Sequence, residues 1–566
     1  MERRIILAIV LMLIVAVLPS VLFPPKKTDR RIGAQADSSR TAQESVPGPA
    51  ATPSPLSAYP PNRLSAAKAE TVWVTSPLYR LGFSTRGGTL VRAELLGYRS
   101  FAPEDSGRAV QLVPDGRPLL THARTAGGGG SADTVAFAEW SLTPSARALR
   151  VGRDTVTLTF TGQGGGGGGG GGGRFTLEYR FFPDEYLFGV RGRLEGFGPG
   201  GATLLLGLGA GLRSVEADSI DDFHHYAVVT KAAKTQSTAF QSLKPGERKI
   251  LDGPFEWAGV KSKYFFLAAL AIAENEPRFG GGIAVGGPRT VTASSLFGKS
   301  AVATRTGLSL TLPVPPAGDF RYDVYAGPLE YRRLAHLGHD LDDANPYGGF
   351  LRTIIQPVSV LVVNILIWMH DRLSLAYGWV LIIFGVLVRA LLWPLNQKAM
   401  ESSLRMQAVA PLLKQVQDRH RNEPERLQRE TLKLYKEHNV NPFGGCLPML
   451  LPMPVLFALF FVFANTIEFR GVPFLWLPDL SRADPYYIIP IVMGLSMFVL
   501  TKVGQIGVPP NPQAKTMLYV MPAFMTLLFL RFASGLNLYY AVSNIFSIPQ
   551  QYLIAVRRLR EQGKRT

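Results

Sequence analysis

Trp379–Leu395 reads WVLIIFGVLVRALLWPL, an unbroken apolar run with one charge, Arg389. At 1.5 Å per residue such a helix is about 26 Å long, enough to sit across a bilayer core. A charged side chain at that depth costs about 2.5–3.5 kcal/mol on insertion scales, so it normally faces a protein interior or a water-filled cavity. The later apolar segments, Cys446–Asn465, Tyr487–Thr501, Met517–Phe532 and Leu536–Ala555, hold no acidic residue to pair with it. An unpaired cation requires hydration, and hence a wet cavity inside a helix bundle. The other reading of the same residues is snorkelling, because Arg389 lies six positions before Leu395 and its long side chain can reach the headgroups. Ser496 and Thr501 in one segment, and Asn537, Tyr539, Tyr540, Ser543 and Asn544 in another, are candidates to line the cavity. Serine and threonine also bond back to their own helix, and tyrosines also serve as interfacial anchors.

The whole chain agrees with a membrane assignment. It has 566 residues, 60 Lys plus Arg against 42 Asp plus Glu, a net charge of +18, 46% hydrophobic residues and only 18% charged ones. Soluble domains are about one quarter charged, so a single soluble globule is excluded, as is disorder throughout. One cysteine, Cys446, rules out a disulfide framework within the chain and any multi-cysteine metal site.

Charge also orients the spans. Ile5–Phe23 follows two arginines and reads as an uncleaved anchor (1–23) with its N-terminus inside. Residues 24–70, rich in Pro, Ser and Ala, form a linker. The domain at 71–328 is then outside, and 329–376 holds connecting helices, with Phe350–Leu373 amphipathic at the interface or spanning. The span at 377–395 returns inward. The loop 396–446 carries nine basic residues from Lys398 to Lys436, and the tail 557–566 carries five. With further spans within 447–556 the count is six. The basic charge follows the positive-inside rule, so no specific nucleic acid is required. Within the inner loop, Glu401–Arg421 and Glu425–Glu437 read as a helical hairpin, with Asn422 as N-cap and Pro424 in the first turn. Leu404, Ala408, Leu412 and Val416 form a narrow apolar stripe. It packs the two helices together and is also a candidate docking surface for a nascent chain or ribosome.

Residues 71–328 alternate apolar and polar positions between Gly and Pro breaks, as in DTVTLTFTG and RFTLEYRFFP, which predicts a large antiparallel sandwich. Gly164–Gly173, ten glycines running into a strand pattern, reads as a flexible hairpin insert; it lacks the Lys-Ser/Thr of a phosphate loop. His224-His225, Asp184-Glu185 and Asp221-Asp222 are adjacent pairs that diverge on a strand, and make poor metal or acid–base candidates. Neither HExxH, G-x-S-x-G nor a phosphate loop occurs in the membrane half. No enzyme, cofactor or metal is expected.

LVRALLWPLNQKAMESSLRMQAVAPLLKQVQ (387–417), LQRETLKLYKEHNVNPFGGCLPMLLPMPVLFALF (427–460), IEFRGVPFLWLPDLSRADPYYIIPIVMGLSMF (467–498) and MPAFMTLLFLRFASGLNLYYAVSNIFSIPQQ (521–551) closely resemble the YidC/Oxa family of membrane protein insertases. TSPLYRLGFSTRGGTLVRAELLGY (75–98), WAGVKSKYF (257–265) and DVYAGPLEYRRL (323–334) look like that family's large periplasmic domain. The resemblance implies a polytopic inner-membrane protein with a five-helix core and a periplasmic β-supersandwich. It implies a hydrophilic groove, open to cytoplasm and lipid, that receives hydrophobic segments of nascent membrane proteins and releases them sideways, alone or with the Sec translocon. Arg389 matches the family's groove arginine and Tyr539 and Tyr540 its tyrosine pair; Ser496, Thr501 and Asn544, read above as candidate cavity linings, complete the expected groove set. The cytoplasmic hairpin is represented by Arg405, Leu412, Arg426 and Lys433. The sequence departs from the family's pattern at Pro452 and Thr501, where glutamine is common, and at Gly385, where threonine is common. Competing readings are a membrane-anchored assembly scaffold and a sugar-binding or sugar-processing domain on a membrane anchor.

Overall fold

The computed structural model describes residues 69–563, apart from 127–133, 166–171, 198–201, 274–276, 288–304, 346, 349–350, 421–422, 439–452 and 508–511. The N-terminal anchor, nearly all of the linker, Cys446, Pro452, the middle of the glycine run and the side chain of Arg405 lie outside that description.

Period-two patterning becomes sheet through residues 71–328. In the strand Gly172–Phe181, Phe175, Leu177, Tyr179 and Phe181 are all fully buried, every second residue. This strand pairs antiparallel with Val156–Gly165 on one side and Leu187–Glu195 on the other, inside a nine-stranded sheet. A six-stranded and a five-stranded sheet complete the domain. His122, on the six-stranded sheet, has its ring 6.1 Å from Phe175 and its Nε2 2.5 Å from the Tyr322 hydroxyl. Phe83, on the five-stranded sheet, has its ring 4.4 Å from Tyr179. Phe175 and Tyr179 point the same way on one strand, so both smaller sheets cover the same face of the nine-stranded one. The expected sandwich is thus one broad sheet opposed by two. The glycine run begins and ends as ladder, with Gly164 opposite Gly173 and Gly165 opposite Gly172. Trp140 and Phe197 lie over Gly164 and Gly173, where a Cβ would collide with the rings.

One expectation within the β domain is corrected. His224 and Asp221-Asp222 lie not on a strand but on a short helix, α1 (Ser219–His224), with His225 at its C-cap. The Asp218 carboxylate caps the helix, accepting from the Ile220 and Asp221 amides at 3.0 Å.

The connector supplies α2 (Tyr331–Leu337) and a short 3₁₀ turn, Leu341–Ala344. The helical half consists of α3 (Arg352–Leu373), α4 (Tyr377–Arg419), α5 (Pro424–Glu437), α6 (Met453–Asn465), α7 (Ile488–Gly504), α8 (Pro512–Phe529) and α9 (Ser534–Gly563). Among the described residues two helical segments, Arg352–Leu373 and Tyr377–Leu395, are long and apolar enough to cross a membrane, and three shorter apolar helices follow. Helix α3, expected at the interface or spanning, has the length and composition of a span. The span at 377–395 and the first hairpin helix, expected as separate elements, are one continuous helix, α4. The second hairpin helix is capped at Glu423, one residue later than expected, with Pro424 in its first turn. The bundle core includes Val363, Leu366, Leu381, Leu459, Phe463 and Leu536. Its outer surface is apolar too: Leu391 is 78% and Leu527 69% exposed. Such a surface suits lipid and would be a liability in water.

The β domain is pinned to the segment between α6 and α7. The Arg470 side chain is buried, with Nε 2.7 Å from Glu216 Oε1, and it donates to the Arg99 carbonyl at 2.8 Å. Its guanidinium lies 4.3 Å from the Phe101 ring centre. Gly471 adopts a φ of +71°, and a Cβ there would strike the Phe101 ring. Beside this pin, Lys261 donates to Asn345 Oδ1 at 2.6 Å, and Asn345 donates to the Asn465 carbonyl at 2.8 Å.

Candidate functional site

Helices α4 and α9 bring the central residues together. Gly385 on α4 faces α9 so closely that a Cβ there would stand 3.4 Å from Tyr539 Cδ2 and 3.6 Å from Ser543 Oγ. One turn further along α4 comes Arg389, half-buried, and the side chains that act on it electrostatically are Tyr539 and Tyr540. Among the described residues no carboxylate forms an ion pair with it. Tyr539 is buried with its ring 6.1 Å from Phe384 and 5.7 Å from Tyr540, whose other flank meets Phe529. These contacts fix the two phenols on α9, against the stretch of α4 that leads to Arg389. Gln550, not picked out from the sequence, extends this flank of α9 and donates to the Trp393 carbonyl of α4 at 3.3 Å. It lies on the face of Tyr539 and Ser543, at helical spacing, and that spacing was the available signal.

The other groove candidates are placed differently. Asn544 donates to Ser496 Oγ at 3.2 Å, and Ser496 donates to the Met493 carbonyl at 2.7 Å; both residues are buried between α7 and α9. Thr501 bonds back to the Met497 carbonyl at 2.8 Å. These three therefore have partners within the bundle, whereas Arg389 and the tyrosines form a separate group. In the hairpin, Arg426 pairs with Glu423 at 2.9 Å and Lys433 with Glu437 at 4.0 Å, both exposed on α5. Leu412 is half-buried on α4, which packs against α5.

Three of the four acidic side chains in the β-domain pairs have structural partners. Asp221 holds Lys263 at 2.6 Å. Asp222 accepts from Ser214 Oγ at 2.6 Å and from the Lys263 amide at 3.1 Å. Asp184 sits in a turn with φ +54°, and Glu185 meets Arg333 at 3.7 Å. They do not form the facing pair that glycoside chemistry needs. No group of three or more metal-ligating side chains occurs among the described residues.

Residues 71–361 match the family model of the YidC periplasmic domain, and residues 368–561 match that of the 60Kd inner membrane protein. The membrane protein insertase YidC of Syntrophus aciditrophicus (strain SB) is 30% identical over 571 residues, covering 98% of this chain and 99% of its own. The membrane protein insertase YidC of Cupriavidus metallidurans is 30% identical over 559 residues, covering 96% and 93%. The crystal structure of an active YidC insertase with its first transmembrane domain resolved aligns over 98% of this chain and 99% of its own, at 17% identity and a TM-score of 0.34.

Proposed function

The chain belongs to the YidC family of membrane protein insertases, which are inner-membrane proteins and not enzymes, and we propose that it receives the apolar segments of nascent membrane proteins in a hydrophilic groove built around Arg389. The observation that carries this reading is Arg389, half-buried on α4 one turn from the contact of Gly385 with Tyr539, with no carboxylate ion pair among the described residues. A fixed cation that its own chain does not neutralise is poised for an acidic group arriving from outside. Hydrogen bonds to charged groups contribute about 1.5–3 kcal/mol, enough to hold the polar tail or loop of a client while its apolar segment samples the lipid. The segment then leaves sideways. Burial of apolar area at about 25 cal/mol per Å² drives that release, and no nucleotide is required.

The proposed topology has six spans, with α3 lying along the interface although it is long enough to cross, the N-terminus inside and the β domain in the periplasm. It places the α4–α5 hairpin in the cytoplasm, where nascent chains and the ribosome would meet it. Basic residues concentrated in that loop and in the tail support this arrangement. Cooperation with the Sec translocon is proposed from the family resemblance alone.

The test is insertion of a small single-span client with an acidic tail into liposomes holding the purified protein, scored by protease protection. Wild type should insert, Arg389→Lys should retain most activity, and Arg389→Ala should lose about tenfold or more. Equal insertion by all three would sink the role of the groove charge. No gain over empty liposomes would favour the scaffold reading.

A further inference from the structure

Asn537, Asn544, Gln551 and Arg558 stand seven residues apart along α9. Positions seven apart on an α-helix drift by only about 20°, so the four form one polar stripe. Each meets the neighbouring bundle. Asn537 is fully buried and donates to the carbonyls of Phe529 at 3.0 Å and Phe532 at 3.4 Å, at the end of α8. Asn544 reaches Ser496 on α7. Gln551 lies against Gly504, where a Cβ would stand 3.6 Å from its Oε1. Arg558 is 7% exposed, and one guanidinium nitrogen donates to the Ile506 carbonyl at 2.8 Å and the Gly504 carbonyl at 3.1 Å. Gly504 ends α7 and Ile506 lies two residues beyond it, where a helix leaves unpaired acceptors and partial negative charge. Arg558 caps α7 from another helix. Its neighbours Arg557 and Arg560 are exposed.

In lipid, apolar side chains do not distinguish one helix register from another, and small residues and polar ties do so instead. Sliding α9 by one residue rotates its faces by about 100° and breaks all four contacts together. We infer that this stripe fixes the register and rotation of α9 against α7 and α8, and that Arg558 is a positioning residue of the insertion site in addition to a charge that orients the tail. A different flank of α9 carries Tyr539, Ser543 and Gln550 toward Gly385 and Trp393 of α4. The stripe thereby sets where Tyr539 and Tyr540 stand relative to Arg389. That last consequence rests on the groove reading; the register does not.

The experiment uses the full chain with Cys446→Ser. Gly385→Cys with Ser543→Cys reports register by oxidative disulfide formation, and insertion is assayed separately without the added cysteines. Arg558→Ala should lower both disulfide yield and insertion roughly threefold, the weight of one inter-helix hydrogen bond in a membrane. Arg558→Lys should restore most of both. Arg557→Ala and Arg560→Ala, each removing one exposed charge, should leave both at wild-type level. Equal losses in all three alanine variants would reduce Arg558 to a topological charge and overturn the proposal. If Arg558→Ala fails to accumulate, Asn544→Ser and Asn537→Ser give the same two readouts, and wild-type disulfide yield in both overturns the stripe. Loss of the disulfide with full insertion supports the register and counts against the groove reading.

Discussion

Arg470 and Arg389 are both arginines set into the protein, one buried at the seam with the β domain and one half-buried in the helical half. Arg470 finds a carboxylate, a carbonyl and an aromatic face, all supplied by the β domain. Lys263 in that domain likewise holds Asp221. Arg389 has around it two phenols and, among the described residues, no carboxylate. The difference separates two uses of a buried cation. Where the charge joins parts of the chain, its countercharge is built in. Under the proposed function, Arg389 is left open for an acidic group of the client.

The sharpest way to break this contrast is to delete both cations and compare stability. Arg470→Ala strands the Glu216 carboxylate and should cost about 3–5 kcal/mol, the usual penalty for orphaning half of a buried pair. Arg389→Ala orphans nothing and should melt no lower than wild type in detergent, although it loses insertion. Equal melting losses would erase the distinction.

A second test uses pH. Burial, with Glu330 adding in the same direction, pushes the Glu468 carboxyl up to about 7 from its ordinary 4.5. A carboxyl with a raised pKa in the folded state stabilises fully below its unfolded value, and that contribution fades as pH rises through the folded one. The seam between the halves should therefore loosen from about pH 5 to about pH 8. Protease sensitivity of the connector should follow it; Glu468→Gln should remove part of the dependence, and the rest belongs to Glu216, whose burial likewise pushes its carboxyl up to about 7.

The smallest effect is expected at Gly385. A Cβ there meets its neighbours at ordinary contact distances. Gly385→Ala should gain about 0.5–1 kcal/mol from helix propensity, read from the melting midpoint, and leave insertion intact. A large insertion loss would show that the bare backbone at this point serves the client.

Much of this was open to reading in the sequence, for physical reasons that also mark where it stopped. Phe175, Leu177, Tyr179 and Phe181 announce a strand because a sheet buries every second residue. Arg389 stands out because few charges survive in an apolar run. The turn at His224 was misread: one residue pair cannot distinguish a strand from a six-residue helix, although Asp218 carried the capping signal. Helix α4 was divided because the chain turns from apolar to polar after Leu395, which is a change of surroundings along one helix and not a break in it. Glu216 lies 254 positions from Arg470, and no local pattern connects residues so far apart. The groove candidates parted for a similar reason. Ser496 and Asn544 look like cavity linings in sequence, and only packing reveals that they bond each other.

Helix α4 has a mechanical consequence. Its 43 residues make a rod about 64 Å long, with Arg389 in its first third and the α5 hairpin at its far end. Because the helix is continuous, its contacts with α9 at Gly385 and with α5 at the far end bear on one element, so no loop lies between them to absorb a shift at either end.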